Sequence, residues 1–332
     1  MVKLGARSVA GKALILMYHH VNSPVSDTWQ LSVSPEYFHQ QLEVLKDWNV
    51  ISLAELIKAI HLKSIPPRSI AITFDDGYKD NYDIAAPLLQ QYHYPSSFFL
   101  TNVTGDNTDQ YWWDVLESNI VSNKSFSSKV NLVLRGKEYE FNLEKSFTEF
   151  MSREQFSELE NWLPWKFPPT TKDAFFVYLC EWFKIVTSEE KNDLLKQILA
   201  HAKRNETDST NEIMSRQQTI DLSTMKGFEI GGHTSDHTAL AGTGAPIQKK
   251  KIDANRIDLE NRIGKPVSLF AYPHGSFDAN SVAVLKELKF AGGCTTTEAI
   301  VTKKTNVYAL PRIHIKNWNG KEFGKRLENW IR

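Results

Sequence analysis

Ser69-Ile70-Ala71-Ile72-Thr73-Phe74-Asp75-Asp76-Gly77 is the stretch on which the fold turns. Its first six residues lack polar alternation and read as a strand buried on both faces, as in a parallel sheet. Two carboxylates follow the strand, and Gly77 then permits a sharp turn. One Asp in this position is commonly a helix N-cap. Two in succession, followed by Gly, favour chemistry instead, because in parallel α/β architectures the C-terminal strand ends form the active face. Neighbouring side chains on an extended segment point in different directions. One Asp can therefore hold a metal ion while the other faces a substrate.

Working outward, similar apolar runs recur at 13–19, 96–101, 228–233, 268–273, 292–297 and 309–315. Amphipathic stretches lie between most of them: Pro35–Trp48, Leu53–His61, Tyr82–Tyr92, Pro246–Ile263 and Asp278–Leu288. Strand–helix alternation means βαβ units, and seven such strands predict a barrel rather than an open sheet. Residues 105–215 break the rhythm. They hold five of the nine tryptophans (Trp112, Trp113, Trp162, Trp165, Trp182) and two of the 16 glycines, with helical patterns such as Ser188–Ala202 and a hairpin-like alternation over Lys129–Phe141. The division predicted is a barrel over 1–104 and 216–332 with a mostly helical insertion over 105–215. Only His201 of the ten histidines falls in the insertion. A cap over the site is therefore a better expectation for it than the site itself.

Composition bounds the partners. Lys+Arg and Asp+Glu both number 39 in 332 residues, so the formal charge is zero and nothing suggests capture of nucleic acid or an anionic membrane. The basic run Lys249–Lys251 reads as a solvated helix face. Two cysteines, Cys180 and Cys294, form no disulfide framework and read as buried thiols, consistent with a reducing compartment. Lys3, Arg7 and Lys12 precede an apolar run over 13–18 that is short for a secretory segment and has no small-residue cleavage site. No run approaches 18 apolar residues, so no transmembrane helix is expected. The expected location is cytoplasmic or membrane-peripheral, or extracytoplasmic if a leader is missing from this chain. Oligomeric state is not legible.

His233-Thr234-Ser235-Asp236-His237 follows the run at 228–233. Histidines four residues apart share one helical face, about 5–6 Å apart at Cβ. With one carboxylate from Asp75–Asp76, they supply a two-His, one-carboxylate set for a divalent ion, and the spare carboxylate equips it for metal-assisted hydrolysis. Asp236, Thr234 or Ser235 could orient a ring, or simply be solvated. His19 ends the first run, and of His19 and His20 only one can face a barrel mouth. His314 lies near the last strand end. A lone strand-end His is more often packed or hydrogen-bonded, but convergence on the Asp–His face favours function. Tyr272 and Pro273, in Phe270–Gly275, end another strand on that face, and either is equally at home in a core or a loop. Trp113 is a candidate sugar platform, although aromatic clusters of this kind more often pack.

These residues resemble the polysaccharide deacetylases, the NodB-like carbohydrate esterases. Thr73-Phe74-Asp75-Asp76-Gly77 is similar to their first motif, His233–His237 to their second, and Phe270–Gly275 to a variant of their third. Met17-Tyr18-His19-His20-Val21 resembles the subgroup with an N-terminal Tyr-His strand and permuted strand order. The likeness covers roughly 13–104 and 216–316. The insertion resembles helical insertions in bacterial members found with surface-polysaccharide genes. The resemblance implies a distorted (β/α)7 barrel with one divalent ion, most often Zn2+, held by Asp76, His233 and His237. Asp75 would be the general base and His19 the general acid. The third motif usually carries an Arg before its Pro, held against the base. Here Ala271 and Tyr272 stand there, and Arg312, at another strand end, is the candidate substitute. His314 only loosely resembles the Leu-x-x-His acid of the fifth motif.

The reaction so implied is removal of N-acetyl groups from a sugar or polysaccharide, with acetate as product. Metal-activated water would attack, Asp75 would take its proton, the backbone N–H of Tyr78 would hold the oxyanion, and His19 would protonate the departing amine. Two other readings stand beside it. One is a deformylase or amidase on the same barrel with a non-acetyl or non-polymeric substrate. The other is a catalytically weak barrel that grips glycan through aromatics.

Overall fold

In the computed structural model, which describes residues 11–105, 110–144, 170–202 and 209–331, the chain divides into two compact units. The first comprises 1–23, 30–109 and 212–332, the second 24–29 and 110–211. Lys3, Arg7, Trp162 and Trp165 lie outside the described residues.

The first unit is built on parallel strands. They are β1 Lys12–Tyr18, β2 Ser69–Phe74, β3 Ser96–Leu100, β4 Phe228–Gly232, β5 Leu269–Ala271, β6 Gly292–Cys294 and β7 Ile313–His314. From β1 to β6 each pairs in parallel with the next in that order. The ring then closes through the last segment. Leu310 bridges Cys294 of β6, and Ile313–His314 pair with Leu16–Met17 of β1. The result is the barrel that the alternation of runs predicts, in the distorted (β/α)7 form that the resemblance implies. β1 and β2 are buried almost throughout, which is why their sequences run apolar rather than alternating.

The last run is the largest departure from the sequence expectation. Only Ile313 and His314 of 309–315 form a strand, because the segment crosses from β6 to β1 and pairs briefly with each. Two short edge pairings were not anticipated: Asn49–Val50 beside β2, and Val301–Thr302 antiparallel to β1.

Helices α1 Pro35–Val44, α2 Leu53–His61, α3 Ala86–Tyr92, α4 Arg216–Thr224, α5 Ala245–Ile263, α6 Ala279–Glu287 and α7 Gly320–Ile331 pack around the barrel strands. Their starts follow capping chemistry. Ser52, Ser215 and Asp278 each close a capping box. The helix expected over Pro35–Trp48 ends early, in a 3-10 turn at Leu45–Asp47. That expected over Tyr82–Tyr92 opens with a wide turn at Asn81–Ala85 ahead of Pro87, which has no N–H to give to a regular helix.

The second unit has its own core. Antiparallel strands Lys129–Leu134 and Lys137–Asn142 form a hairpin, accompanied by helices Trp112–Glu117, Thr171–Ile185 and Ser188–Ala200. Phe175, Phe176, Phe183, Leu179, Leu194 and Ile198 are buried within it. Cys180 and Cys294 are free and buried, one in each unit.

Candidate active site

At the C-terminal end of the barrel, five strands, β1, β2, β4, β5 and β7, deliver candidate residues. The chain leaves β2 extended at Asp75, whose N–H still bonds Tyr18 O at 3.0 Å, and then turns at Asp76 (φ 73°) and Gly77 (φ 81°). A Cβ on Gly77 would sit 2.9 Å from the Leu100 side chain, so both the backbone conformation and the space select glycine there. The turn is stitched from outside: Met214 N–H donates to Gly77 O at 3.0 Å and Lys79 N–H to Glu212 O at 2.7 Å.

His233 and His237 do not lie on a helix. Residues 233–237 form a turn with Thr234 at φ 59° and His237 at φ 56°. The two rings still meet, 4.9 Å apart at their centroids, because the left-handed residues fold the segment back on itself. Nε2 of His233 is 3.2 Å and Nε2 of His237 3.1 Å from Oδ1 of Asp76. All three donor atoms lie within 4.8 Å of one another, the only such His/Cys/Asp/Glu cluster among the described residues. Asp236, one of the proposed orienting groups, is exposed and paired with Lys251. The orienting partner of His233 is a backbone carbonyl instead, with Nδ1 2.8 Å from Ala271 O. That bond turns Nε2 toward the cluster, the arrangement metal-binding histidines adopt.

Asn255, on α5, holds the same segment. Its Oδ1 accepts the His233 N–H at 2.8 Å, while its amide donates to Leu100 O and Asn102 Oδ1. A Cβ at position 232 would lie 2.6 Å from that Oδ1, so Gly232 makes room for it. Sequence reasoning missed Asn255. A buried Asn in an amphipathic helix is the signal that could have flagged it.

Arg312 is fully buried and grips Asp75 with both arms, Nη1 to Oδ1 at 2.7 Å and Nη2 to Oδ2 at 2.6 Å. Its Nε donates to Thr295 O at 2.9 Å. Burial pushes the Asp75 carboxyl upward, but the Arg312 charge and hydrogen bonds outweigh it and hold the group below its usual range. The opposition is sharper at Asp76, where His237 and His233 overcome burial and hold the carboxyl well below its usual range.

His19 senses this site. Burial lowers its pKa, while the charges of Asp76 and Asp75 pull the other way. Its Nδ1 has no hydrogen-bond partner among the described residues. His314 lies edge-on to His19 at 5.9 Å, and burial, helped by the positive neighbours His19 and Lys316, pushes its pKa down to about 3.

The four substrate-contact candidates are all buried. The Tyr78 ring lies against His20, tilted by 32° with 3.5 Å between centroids. Tyr272 stacks on Phe277, and its hydroxyl donates to Tyr308 O at 2.9 Å. Pro273 is buried in the turn after β5. Trp113 packs face to face on Tyr111 at 4.2 Å, so one face of its ring is already covered. The exposed residue at the end of β5 is instead His274, whose ring stands edge-on to His237 at 4.4 Å and whose backbone is left-handed (φ 57°). Asp76, Thr234, His237 and His274 make four of the ten described non-glycine residues with positive φ, so backbone strain gathers at these strand ends, as it does at functional sites.

Comparison with known proteins agrees with this geometry. The polysaccharide deacetylase family profile matches residues 63–130 and 194–293. Over 108 residues the chain is 36% identical to poly-beta-1,6-N-acetyl-D-glucosamine N-deacetylase of Staphylococcus epidermidis, a stretch that is 28% of this chain and 37% of that protein. Over 92 residues it is 34% identical to a putative polysaccharide deacetylase of Bacillus subtilis, covering 27% of this chain and 32% of that one. The chain thus aligns with about a third of the length of these curated relatives. Two solved structures share the fold: the Streptococcus pyogenes deacetylase PplD in complex with acetate (TM-score 0.54, 17% identity, 97% of this chain and 98% of that chain) and IcaB from Ammonifex degensii (0.56, 14%, 97% and 97%). With its family motifs at the mouth of a (β/α)7 barrel, the chain belongs to the polysaccharide deacetylase family, as a NodB-like member.

Proposed function

We propose that the protein is a metal-dependent deacetylase that removes N-acetyl groups from a sugar polymer, with β-1,6-linked N-acetylglucosamine as the first substrate to test. The observation that carries this reading is one carboxylate oxygen, Asp76 Oδ1, 3.1 to 3.2 Å from two imidazole nitrogens, beside a second carboxylate clamped by Arg312. The polymer is suggested by the name of the Staphylococcus epidermidis relative. Two imidazoles and one carboxylate suit zinc. An ion bound there lowers the pKa of a water toward roughly 7 and polarises a carbonyl oxygen.

The chain's own groups do the rest. Asp75 takes the proton of the attacking water, and Arg312 fixes the carboxylate so that no reorientation is needed at that moment. The backbone N–H of Tyr78 donates to the substrate oxygen as charge develops on it. His19 delivers a proton to the departing nitrogen, since an amide anion is far too basic to leave. His314, held neutral by its low pKa, is not the proton donor in this scheme.

The test is elemental mass spectrometry on wild type and His233→Ala, together with acetate release from a β-1,6-linked N-acetylglucosamine oligomer. About one zinc or similar ion per wild-type chain, lost in the variant together with acetate release, supports the reading. Metal-free wild type after reconstitution would remove it. Metal retained without acetate release would turn the reading toward a non-acetyl amide substrate.

A further inference from the structure

His20 follows His19 directly, and the two rings have different partners: His20 lies on Asp80, while His19 lies edge-on to His314 and within the field of Asp75 and Asp76. Oδ2 of Asp80 lies 2.7 Å from Nδ1 of His20, and its Oδ1 accepts the Val21 N–H at 3.2 Å. The Asn81 amide donates one hydrogen to His19 O at 2.7 Å and the other to Asp80 Oδ1 at 2.7 Å. Two adjacent side chains therefore anchor three consecutive residues at the end of β1. All of these anchors are shielded, with His20, Asp80 and Asn81 3%, 7% and 0% exposed. Tyr78 covers the other side of His20, ring on ring at 3.5 Å.

We propose that Asp80 and Asn81 are positioning residues for His19. By drawing the His20 ring onto Asp80 and fixing the His19 carbonyl, they direct the His19 ring to the opposite side, over Asp75 and Asp76. Adjacent residues on extended chain project in opposite directions, so capturing one histidine aims the other. The same loop carries Asp75 and Asp76 at one end and Asp80 and Asn81 at the other. The base and the proton donor are thereby referenced to one rigid turn, and the Asp75 N–H bond to Tyr18 O at 3.0 Å ties its two sides together. Placement of this kind matters because a misplacement of about 1 Å at a reacting group can cost on the order of a hundredfold in rate. The proposal rests on the reading of His19 as proton donor given above, but its geometric content stands apart from any activity.

The test uses full-length, metal-loaded protein with two variants. Asn81→Ala removes the tie to the His19 carbonyl. Asp80→Asn keeps the volume and an acceptor for Val21 but removes the charge from His20. Two readouts are taken: kcat and KM for acetate release from the N-acetylglucosamine oligomer, and the histidine side-chain proton–nitrogen NMR signals, with His19 assigned by its absence in His19→Gln. The result expected in each variant is a displaced or broadened His19 ring signal, kcat down about tenfold to a hundredfold, KM within about twofold of wild type, and unchanged metal content. An unmoved His19 signal with kcat within twofold would overturn the proposal. If Asn81→Ala does not fold, the isosteric Asp80→Asn decides alone. If wild type releases no acetate, the deacetylase reading fails, and the NMR signal by itself still decides whether these residues aim His19.

Discussion

The titratable side chains buried at the barrel mouth and the polar side chains of the second unit are satisfied in different ways. In the second unit they complete nearby backbone. Glu117 accepts the Thr28 N–H at 2.7 Å, Asn123 donates to Ala202 O and accepts from Ser125 N–H, and Thr170 and Asp173 cap a helix. At the barrel mouth the side chains turn toward one another. Asp76 meets two histidines, Asp75 meets Arg312, and His19 Nδ1 and His314 Nε2 have no partner among the described residues. A buried polar group that closes backbone is explained by folding alone. One that converges with other titratable groups, or keeps a nitrogen in reserve, costs stability and needs a functional reason.

The sharpest way to break this contrast is at the mouth. His233→Ala is expected to abolish metal retention and with it turnover. Asp75→Asn is expected to keep the metal while acetate release falls by about 10²–10⁴-fold, the range for loss of a general base. Elemental analysis beside acetate assays checks both. An Asp75→Asn protein with wild-type turnover would contradict the assignment of the base.

Arg312→Gln comes next and reads the mouth as an electrostatic structure. It leaves the Asp75 carboxylate buried without its partner, which is expected to cost about 3–5 kcal/mol in urea unfolding. The double variant Arg312→Gln/Asp75→Asn should recover part of that loss, because the uncompensated charge is gone. A double variant no more stable than Arg312→Gln would mean that the arginine acts through packing. Leu179→Ala in the second unit is expected to cost about 2–4 kcal/mol by leaving a cavity. It should leave metal content at the wild-type level, since the metal candidates all lie in the first unit. Loss of metal in that variant would show that the two units do not behave independently.

How far sequence carries depends on how local the cause is. The runs ending at Phe74 and Gly232 were legible because burial on both faces leaves no polar alternation, and Asp75–Asp76 and His233–His237 because the chemistry is written in adjacent letters. The helical face inferred for His233 and His237 was wrong for a backbone reason: left-handed Thr234 and His237 bring the rings together in a turn. Residue spacing cannot distinguish these two routes to one ion. Arg312 was legible only as a candidate, since its grip on Asp75 joins residues 237 positions apart. Asn255 and the Asp80–His20 pair were not legible at all, because what each holds comes from another element. Tyr78, Tyr272, Pro273 and Trp113 show a further limit, because a motif's neighbourhood does not tell in advance which aromatic or turn side chains are buried.

The smallest effect expected concerns His314 and separates it from His19. Its folded pKa of about 3 lies below the unfolded value near 6.5, chiefly through burial. Between those values the unfolded chain binds a proton that the folded chain refuses. Stability is therefore full above about pH 6.5 and falls as pH drops toward 3, by up to about 1.4 kcal/mol per unit. His314→Gln has no such proton to bind. Between pH 7 and 5 it is expected to lose about 1–2 kcal/mol less than wild type in urea unfolding. Parallel curves would mean that His314 is charged in the fold and available as a proton donor. Divergent curves would leave it neutral at working pH, with the donor's role falling to His19, whose ring alone of the two is drawn back toward protonation by Asp75 and Asp76. His19→Gln should then cost more turnover than His314→Gln, although both remove one imidazole from the same wall of the barrel mouth.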